Sequence, residues 1–182
     1  MQTFYIIVSK MTLDTLFSDK SITSKQKTAQ ISQWLLEGIL PIDELLDFAA
    51  KSKHAVKATC IEGIEQSTKI NQSISNETMF LFVTMQLLEK EPRVKWESAR
   101  VIGNCASRFI DLLPLAIKNL ILNSHHEGTV VRWSTAYALG EIIKLNTINN
   151  STLIKTVMEI IEKEEKNSIK KIYSSAMKKV KK

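Results

Sequence analysis

The hydrophobic pattern of this chain is that of amphipathic helices. In segment 94–106, apolar and small residues recur at steps of four, three, one and three, which places them on one side of a helix; they are Val94, Ser98, Val101, Ile102 and Cys105. Segment 131–143 repeats these steps with Val131, Thr135, Ala138, Leu139 and Ile142. Further helical patterns lie between such segments, so the chain is predicted to be a series of helix pairs.

The two segments are also copies in sequence. VKWESARVIGN (94–104) and VRWSTAYALGE (131–141) share a Val, a base, Trp, a hydroxyl residue, Ala and Gly in the same order. Fainter copies begin at Val56 and Ile169, so the four anchor residues are 38, 37 and 38 positions apart. A period of this length is typical of solenoids built from helical hairpins. We therefore expect one all-α domain, 1–182, in the form of a right-handed α-solenoid of about four hairpins; the N-terminal capping helices and the hairpins cover 1–40, 41–69, 76–107, 111–145 and 150–182.

The repeated line carries a family resemblance. EPRVKWESARVIG and GTVVRWSTAYALGEI resemble the second helix of a HEAT repeat, which typically contains an acid followed by Pro, then Val-Arg, then Ala-x-x-Ala-Leu-Gly. The resemblance covers about 140 residues and is strongest over 91–145. It implies an armadillo-like α-solenoid that binds other proteins. In this family the base after the anchor Val tends to pair with an acid of a neighbouring repeat, a role that would fall to Lys57, Lys95, Arg132 and Lys170.

Composition supports an all-α protein without a membrane span. The chain has only 5 Gly and 3 Pro among 182 residues, too few for a fold with many tight turns. No stretch approaches the ~18 consecutive apolar residues that a membrane helix needs. Cys60 and Cys105 lie on apolar helix faces with no ligand-like spacing, so we expect buried free thiols and a cytoplasmic protein.

The positive charge of the chain is concentrated at its C-terminus. The net charge is +6, but 18 basic and 19 acidic residues over 1–165 leave the rest of the chain near neutrality. The basic residues of the last predicted helix face away from its apolar stripe; those singled out are Lys170, Lys171, Lys178, Lys179, Lys181 and Lys182. They are interpreted either as the polar outer face of a solenoid cap or as a docking patch for an acidic protein, nucleic acid or an anionic surface.

The two repeated tryptophans are the leading candidates for contact with a partner. At 100° per residue, Trp96 and Trp133 fall on the flank of the apolar stripe, beside Gly103 and Gly140. Two interpretations stay open: each indole covers its glycine and packs between repeats, or the rings form binding anchors on one surface. The predicted contact residues on this polar flank are Trp96, Arg100, Asn104, Trp133 and Tyr137.

A more distant resemblance connects the chain to the DNA-alkylation-repair glycosylases, which are built of HEAT-like repeats and hold a lesion against tryptophans with an acid close by. The positions one helical turn after Trp96 and Trp133 hold no acid, and Glu97 is predicted to lie about 100° round the helix from Trp96. The near-neutral charge of 1–165 also argues against a groove that follows phosphates. Nucleic-acid binding or glycosylase activity is therefore kept only as the alternative function.

No other motif predicts chemistry. The adjacent His125 and His126 do not complete a metal-ligand set, and no catalytic residue, metal site or cofactor is predicted. The sequence is therefore interpreted as a non-enzymatic interaction or scaffold module, a monomer or weak homodimer, that binds a protein or peptide on its repeat surface.

Overall fold

The structure, a computed structural model, describes residues 12–146 and 150–180. Within these residues the chain forms ten α-helices and no strand, in keeping with the predicted all-α architecture. Three short 3₁₀ turns lie at 72–74, 106–108 and 110–112. The helices are α1 (Leu13–Ser18), α2 (Ser24–Leu36), α3 (Ile42–Lys51), α4 (His54–Ile70), α5 (Glu77–Gln86), α6 (Pro92–Cys105), α7 (Leu113–Asn123), α8 (Thr129–Lys144), α9 (Asn150–Lys163) and α10 (Asn167–Val180).

The helices are arranged in two layers. The even-numbered helices pack side by side in chain order, α2 against α4, α4 against α6, α6 against α8 and α8 against α10. From α3 onwards each odd-numbered helix packs against the even helix that follows it, and α3, α5 and α7 also contact one another in sequence. Repeated helix pairs that contact only their neighbours are what defines a solenoid.

The hydrophobic core lies between the two layers. The anchors Val94, Val131 and Ile169 are all buried, and so are the apolar residues that follow them on the same side of each even helix. Both cysteines are free and buried within this core, as expected, and burial raises the pKa of Cys60 to about 12. The anchor of the first copy, Val56, is the exception, since it is only half-buried against the core.

Helix ends follow local sequence signals. Asn76 caps α5, because its Oδ1 accepts a hydrogen bond from the Met79 amide at 2.8 Å. Thr12 and Thr23 form capping boxes at the starts of α1 and α2.

Two of the four bases after the anchors pair with acids of the next repeat. Lys57 Nζ lies 2.9 Å from Glu89 Oε1, and Arg132 Nε lies 2.9 Å from Glu164 Oε2. Burial alone would raise the pKa of Glu164, but hydrogen bonds from Arg132 and from the Lys166 amide hold it below its usual value. The partners that the resemblance implied are thus acids 32 residues further along the chain.

Lys95 departs from this pattern. Its ammonium group donates to Asn123 Oδ1 at 2.8 Å and to the Leu87 carbonyl at 2.9 Å, both neutral acceptors. Burial lowers the pKa of Lys95, and the negative charge of Glu89 only partly opposes this shift. The lysine therefore connects the loop after α5 to α7 by hydrogen bonds rather than by an ion pair.

Candidate binding face

The even helices α6 and α8 expose matching side chains on the side away from the odd-helix layer. In both helices the residue before the anchor and the residues two and six positions after it are exposed or half-buried, whereas the anchor itself is buried. We call this surface the even-helix face and define it by Arg93, Trp96, Arg100, Val130, Trp133 and Tyr137. It contains four of the five contact residues that the sequence suggested.

Trp96 is half-buried and is held by the acid next to it. Its indole Nε1 donates to Glu97 Oε1 at 2.7 Å, and the Glu97 carboxylate is almost completely buried. The sequence placed Glu97 about 100° round the helix from Trp96, but its carboxylate still reaches the indole, because the angle between two backbone positions does not limit the reach of a long side chain. The hydrogen bond fixes the orientation of this ring.

Arg100 bridges two buried carboxylates. Its guanidinium lies 2.7 Å from Glu65 Oε1 on α4 and 3.3 Å from Glu97 Oε2 on its own helix. Burial raises the pKa of both Glu65 and Glu97, and Arg100 opposes that rise at each of them. Breaking such a pair would leave a carboxylate buried without a partner, so Arg100 joins α4 to α6.

Asn104 is a structural residue and not an exposed contact. It is only 7% exposed, because the position ten residues after the anchor faces α4. Its Nδ2 donates to the Glu65 carbonyl and to Thr68 Oγ1, both at 3.1 Å, while its Oδ1 accepts from the Tyr137 hydroxyl at 2.7 Å. The prediction that Asn104 lies on an accessible polar flank is therefore corrected: the side chain connects α4, α6 and α8.

The aromatic pair of α8 is the most exposed part of the face. The rings of Trp133 and Tyr137 are stacked, with centroids 6.2 Å apart and planes 6° apart. Trp133 is 42% exposed and the neighbouring Val130 is 51% exposed. Burial and nearby carboxylates raise the pKa of Tyr137, so its hydroxyl remains the donor to Asn104. The face therefore presents a large aromatic surface. The Tyr137 ring, on which Trp133 stacks, is held in place by its hydrogen bond to Asn104.

The repeated glycines are covered by the following helix and not by the tryptophans. A Cβ added at Gly103 would lie 2.6 Å from Tyr137 Cε1, and one added at Gly140 would lie 3.3 Å from the Ala176 Cβ. The atoms nearest to these positions belong to the next even helix in both cases. The interpretation in which each indole covers its own glycine is therefore wrong, and the glycines serve the close approach of α6 to α8 and of α8 to α10.

Three acids of this region were not recognised as site residues in the sequence. Besides Glu65 and Glu97, Glu62 on α4 accepts from Thr28 Oγ1 at 3.0 Å and from Arg93 Nη2 at 2.6 Å. The acid–base pairs that cross from α4 to α6 are 31 and 35 residues apart, close to the repeat period. Opposite charges at that separation are the sequence signal that identifies these acids.

The remaining candidate residues that the structure describes lie on α10 and in the loop before α8. Lys171, Lys178 and Lys179 are exposed on α10 and Lys170 is half-buried, while Lys181 and Lys182 lie outside the described residues. His126 Nδ1 accepts from the Gly128 amide at 2.9 Å and so stabilises its own loop. Among residues 12–146 and 150–180, no group of three or more His, Cys, Asp or Glu side chains is placed to hold a metal ion.

One further property concerns membranes. None of the helices described for this chain combines the length and the apolar character that crossing a bilayer requires.

Comparison with known proteins shows the fold. No family model matches the chain, and no curated protein matches it in sequence. Among solved structures, an engineered protein superposes with a TM-score of 0.71 at 14% identity, covering 93% of this chain and 79% of that one. A designed armadillo repeat protein, and another in complex with the peptide (KR)4, each give a TM-score of 0.67 at 13% identity, covering 92% of this chain and 80% of theirs. The chain therefore has the predicted armadillo-like α-solenoid fold.

Proposed function

We propose that this chain is a non-enzymatic interaction module that binds an extended segment of a protein or peptide across the even-helix face. The central contact is the Trp133–Tyr137 pair, with Trp96 and Arg100 beside it. The observation that carries this proposal is the exposed Trp133 indole, stacked on a ring that is itself bonded to the neighbouring helix.

Physical reasons support this choice of surface. Tryptophan, tyrosine and arginine are the residues that contribute most to binding energy in protein interfaces. A partner that covers Trp133 and Val130 would remove two partly exposed apolar side chains from water. Because the Tyr137 ring is already held by Asn104, little side-chain freedom is lost on binding.

The similar structures are compatible with this proposal. One of the designed armadillo repeat proteins was solved with a bound peptide, (KR)4, so this architecture can present a peptide-binding surface. At 13% identity the likeness concerns the fold, and the chemistry of the partner has to be argued from the residues of this chain.

The alternative function, a nucleic-acid-binding or glycosylase-like protein, has less support. The carboxylate nearest to a face tryptophan is Glu97, whose side chain is 5% exposed and bonded to both Trp96 and Arg100. A catalytic acid or base must be able to reach its substrate. We therefore propose no enzymatic activity for this site.

A peptide-display selection tests the proposal. A library of random twelve-residue peptides is selected on the immobilised full chain, and enriched peptides are titrated against the parent, Trp133→Ala and a control, Leu122→Ala. Leu122 is 62% exposed on α7, in the other helix layer, so the control removes an exposed apolar side chain away from the face.

We expect Trp133→Ala to weaken binding at least tenfold, as for an interface hot spot, and Leu122→Ala to leave it unchanged. Selected peptides that bind both variants as tightly as the parent would overturn the assignment of the face. A selection that enriches no peptide would also count against it.

A further inference from the structure

The last helix continues the even-helix face. In the repeat register Lys171 stands two residues after the anchor Ile169, in the position of Trp96 and Trp133. Lys179 stands ten residues after the same anchor; the equivalent Asn104 is buried against α4, whereas Lys179 is exposed on α10. The burial pattern of α10 agrees with this register, because Ile169, Tyr173 and Ala176 are buried whereas Lys171 and Lys179 are exposed.

A third lysine, Lys178, is also exposed on α10. Lys178 stands nine residues after its anchor, in the position of Gly103 and Gly140. Those glycines are covered by the following even helix, and α10 is the last helix of the described chain. We call the exposed Lys171, Lys178 and Lys179 of α10 the lysine end; Lys171 stands at a defining position of the even-helix face, and the other two lie beside it.

The basic residues on and beside the rest of the face form ion pairs with neighbouring acids. Arg93 pairs with Glu62, Arg100 pairs with Glu65 and Glu97, and Lys144 pairs with Glu141, as the contacts within and between α4, α6 and α8 show.

The lysine end is different. Among residues 12–146 and 150–180, Lys171, Lys178 and Lys179 take part in none of the ion pairs. The surface thus combines an aromatic region of balanced charge with an adjoining region of uncompensated positive charge.

We infer that the partner is an acidic linear peptide segment, whose Asp or Glu side chains lie on the lysine end while its neighbouring residues cover Trp133. This inference rests on the proposed function and adds the chemistry of the partner to it. Carboxylates complement the unpaired ammonium groups, whereas a basic peptide such as (KR)4, which one of the similar designed proteins binds, would be repelled at this end.

The distribution of charge favours a peptide over a nucleic acid. A nucleic acid carries a phosphate at every nucleotide, so its affinity grows with the number of phosphates that basic residues neutralise. Residues 1–165 contain 18 basic and 19 acidic residues, so positive charge is in excess only at the C-terminal end. A peptide can match this uneven pattern because it can carry acids at one end and apolar or neutral residues at the other.

Fluorescence polarisation with three labelled probes tests the inference on the full chain. The probes are the octapeptides (DE)4 and (KR)4 and a single-stranded twelve-nucleotide oligo-dT. The variant Lys171→Glu/Lys179→Glu reverses two charges of the lysine end. The control Lys118→Glu/Lys155→Glu reverses two exposed lysines on α7 and α9, in the other layer, and gives the same net charge.

We expect (DE)4 to bind at least tenfold more tightly than (KR)4 at low salt, and its affinity to fall as salt rises. The lysine-end variant should weaken (DE)4 binding about tenfold, whereas the control variant should change it less than twofold. Three results would each overturn the inference. They are tighter binding of (KR)4 than of (DE)4, equal effects of the two variants on (DE)4 binding, and tighter binding of oligo-dT than of (DE)4 with the same dependence on the lysine end.

The same variants separate this inference from the proposed function. If selected display peptides depend on Trp133 but are neutral or basic and bind the lysine-end variant normally, the acidic partner is excluded and the face remains a peptide site. If (DE)4 binds through the lysine end but no selected peptide depends on Trp133, the proposed aromatic contact fails, and the inference fails with it.

Discussion

Helices α6 and α8 share one line of sequence but present it differently. In α6 the indole of Trp96 is hydrogen-bonded to Glu97, and Arg100 is shared between that acid and Glu65 of the preceding repeat. In α8 a serine stands where α6 has Glu97, and Tyr137 stands where α6 has Arg100. Trp133 stacks on that tyrosine and remains more exposed than Trp96.

This difference shows that two copies of a repeat can have different roles. In α6, Glu97 and Arg100 are engaged in ion pairs that reach α4, whereas the aromatic residues of α8 leave the face accessible to a partner. The role of a position therefore depends on which residues surround it, and the shared Trp alone does not determine it. We place the centre of the proposed contact on α8 for this reason.

The largest expected difference in stability between variants of α6 and α8 is at the position six residues after the anchor. Arg100→Ala should lower the free energy of unfolding by about 3 kcal/mol, because it leaves two buried carboxylates without their cation. Tyr137→Phe, at the equivalent position of α8, should cost about 1 kcal/mol, the value of one hydrogen bond. Urea unfolding of both variants measures the difference, and equal losses would contradict the different roles assigned to the two helices.

The two glycines should also respond differently. Gly103→Ala should lower the free energy of unfolding by about 2 kcal/mol, since the new Cβ would meet a Tyr137 ring that Trp133 and Asn104 hold in place. Gly140→Ala meets the Ala176 Cβ at 3.3 Å and Ile172 Cγ2 at an ordinary 3.8 Å, and the gain in helix propensity of about 1 kcal/mol offsets the closer contact. Thermal unfolding compares the two, and a Gly103→Ala variant as stable as its parent would show that the crossing is looser than described.

The acid Glu97 of α6 and the acid that pairs with Arg132 of α8 should give opposite pH dependences of stability. Burial raises the pKa of Glu97 in the folded chain above its ordinary value of 4.5, so the stability it contributes is present at low pH and is lost as pH rises through the folded pKa. Glu97→Gln should therefore become more stable relative to its parent between about pH 4 and pH 7.

Glu164, the partner of Arg132 on α8, serves as the comparison. Its pKa is lowered in the folded chain, so its contribution is present above the unfolded value of 4.5 and is lost as pH falls through the folded pKa. Glu164→Gln should thus be most destabilising near pH 7 and least so near pH 3. Stability measured against pH for both variants checks the signs, and parallel profiles would contradict the assignment.

A small effect on stability is expected for the exposed tryptophan, Trp133. Trp133→Ala should lower the free energy of unfolding by less than about 1 kcal/mol, because much of its indole is already in water. Trp96→Ala should cost more, since it removes a half-buried ring and the hydrogen bond to Glu97. Chemical denaturation distinguishes the two, and a larger loss for Trp133→Ala would mean that this ring serves packing rather than binding.

The sequence predicts the fold well because the repeat is a property of local periodicity. The anchors and the residues in step with them face the core wherever the pattern of steps four, three, one and three recurs, and Val94 and Val131 are buried accordingly. Bases after the anchors were assigned to bridge repeats, and Lys57 and Arg132 do so. Lys95 could not be foreseen, because an amide replaces the acid as its partner.

The candidate face is less predictable because its geometry depends on side chains from different repeats. A helical projection puts Trp96 on the flank of the apolar stripe, but it gives neither the hydrogen bond to Glu97 nor the approach of Glu65 from the preceding repeat. It also counted Asn104 as accessible, although that position faces α4. Predicting contacts between repeats requires the crossing geometry of neighbouring helices, which the pattern of a single helix does not define.

The indole protons of the three tryptophans provide the most direct test of the central claim. Trp96 and Trp133 lie on the even-helix face, whereas Trp34 is buried on α2 and acts as an internal reference. In a titration of the ¹⁵N-labelled full chain with a display-selected peptide, we expect the Nε1–H signals of Trp133 and then Trp96 to shift, with Trp34 unchanged. A peptide that binds without moving the Trp133 signal would contradict the claim that this face is the binding site.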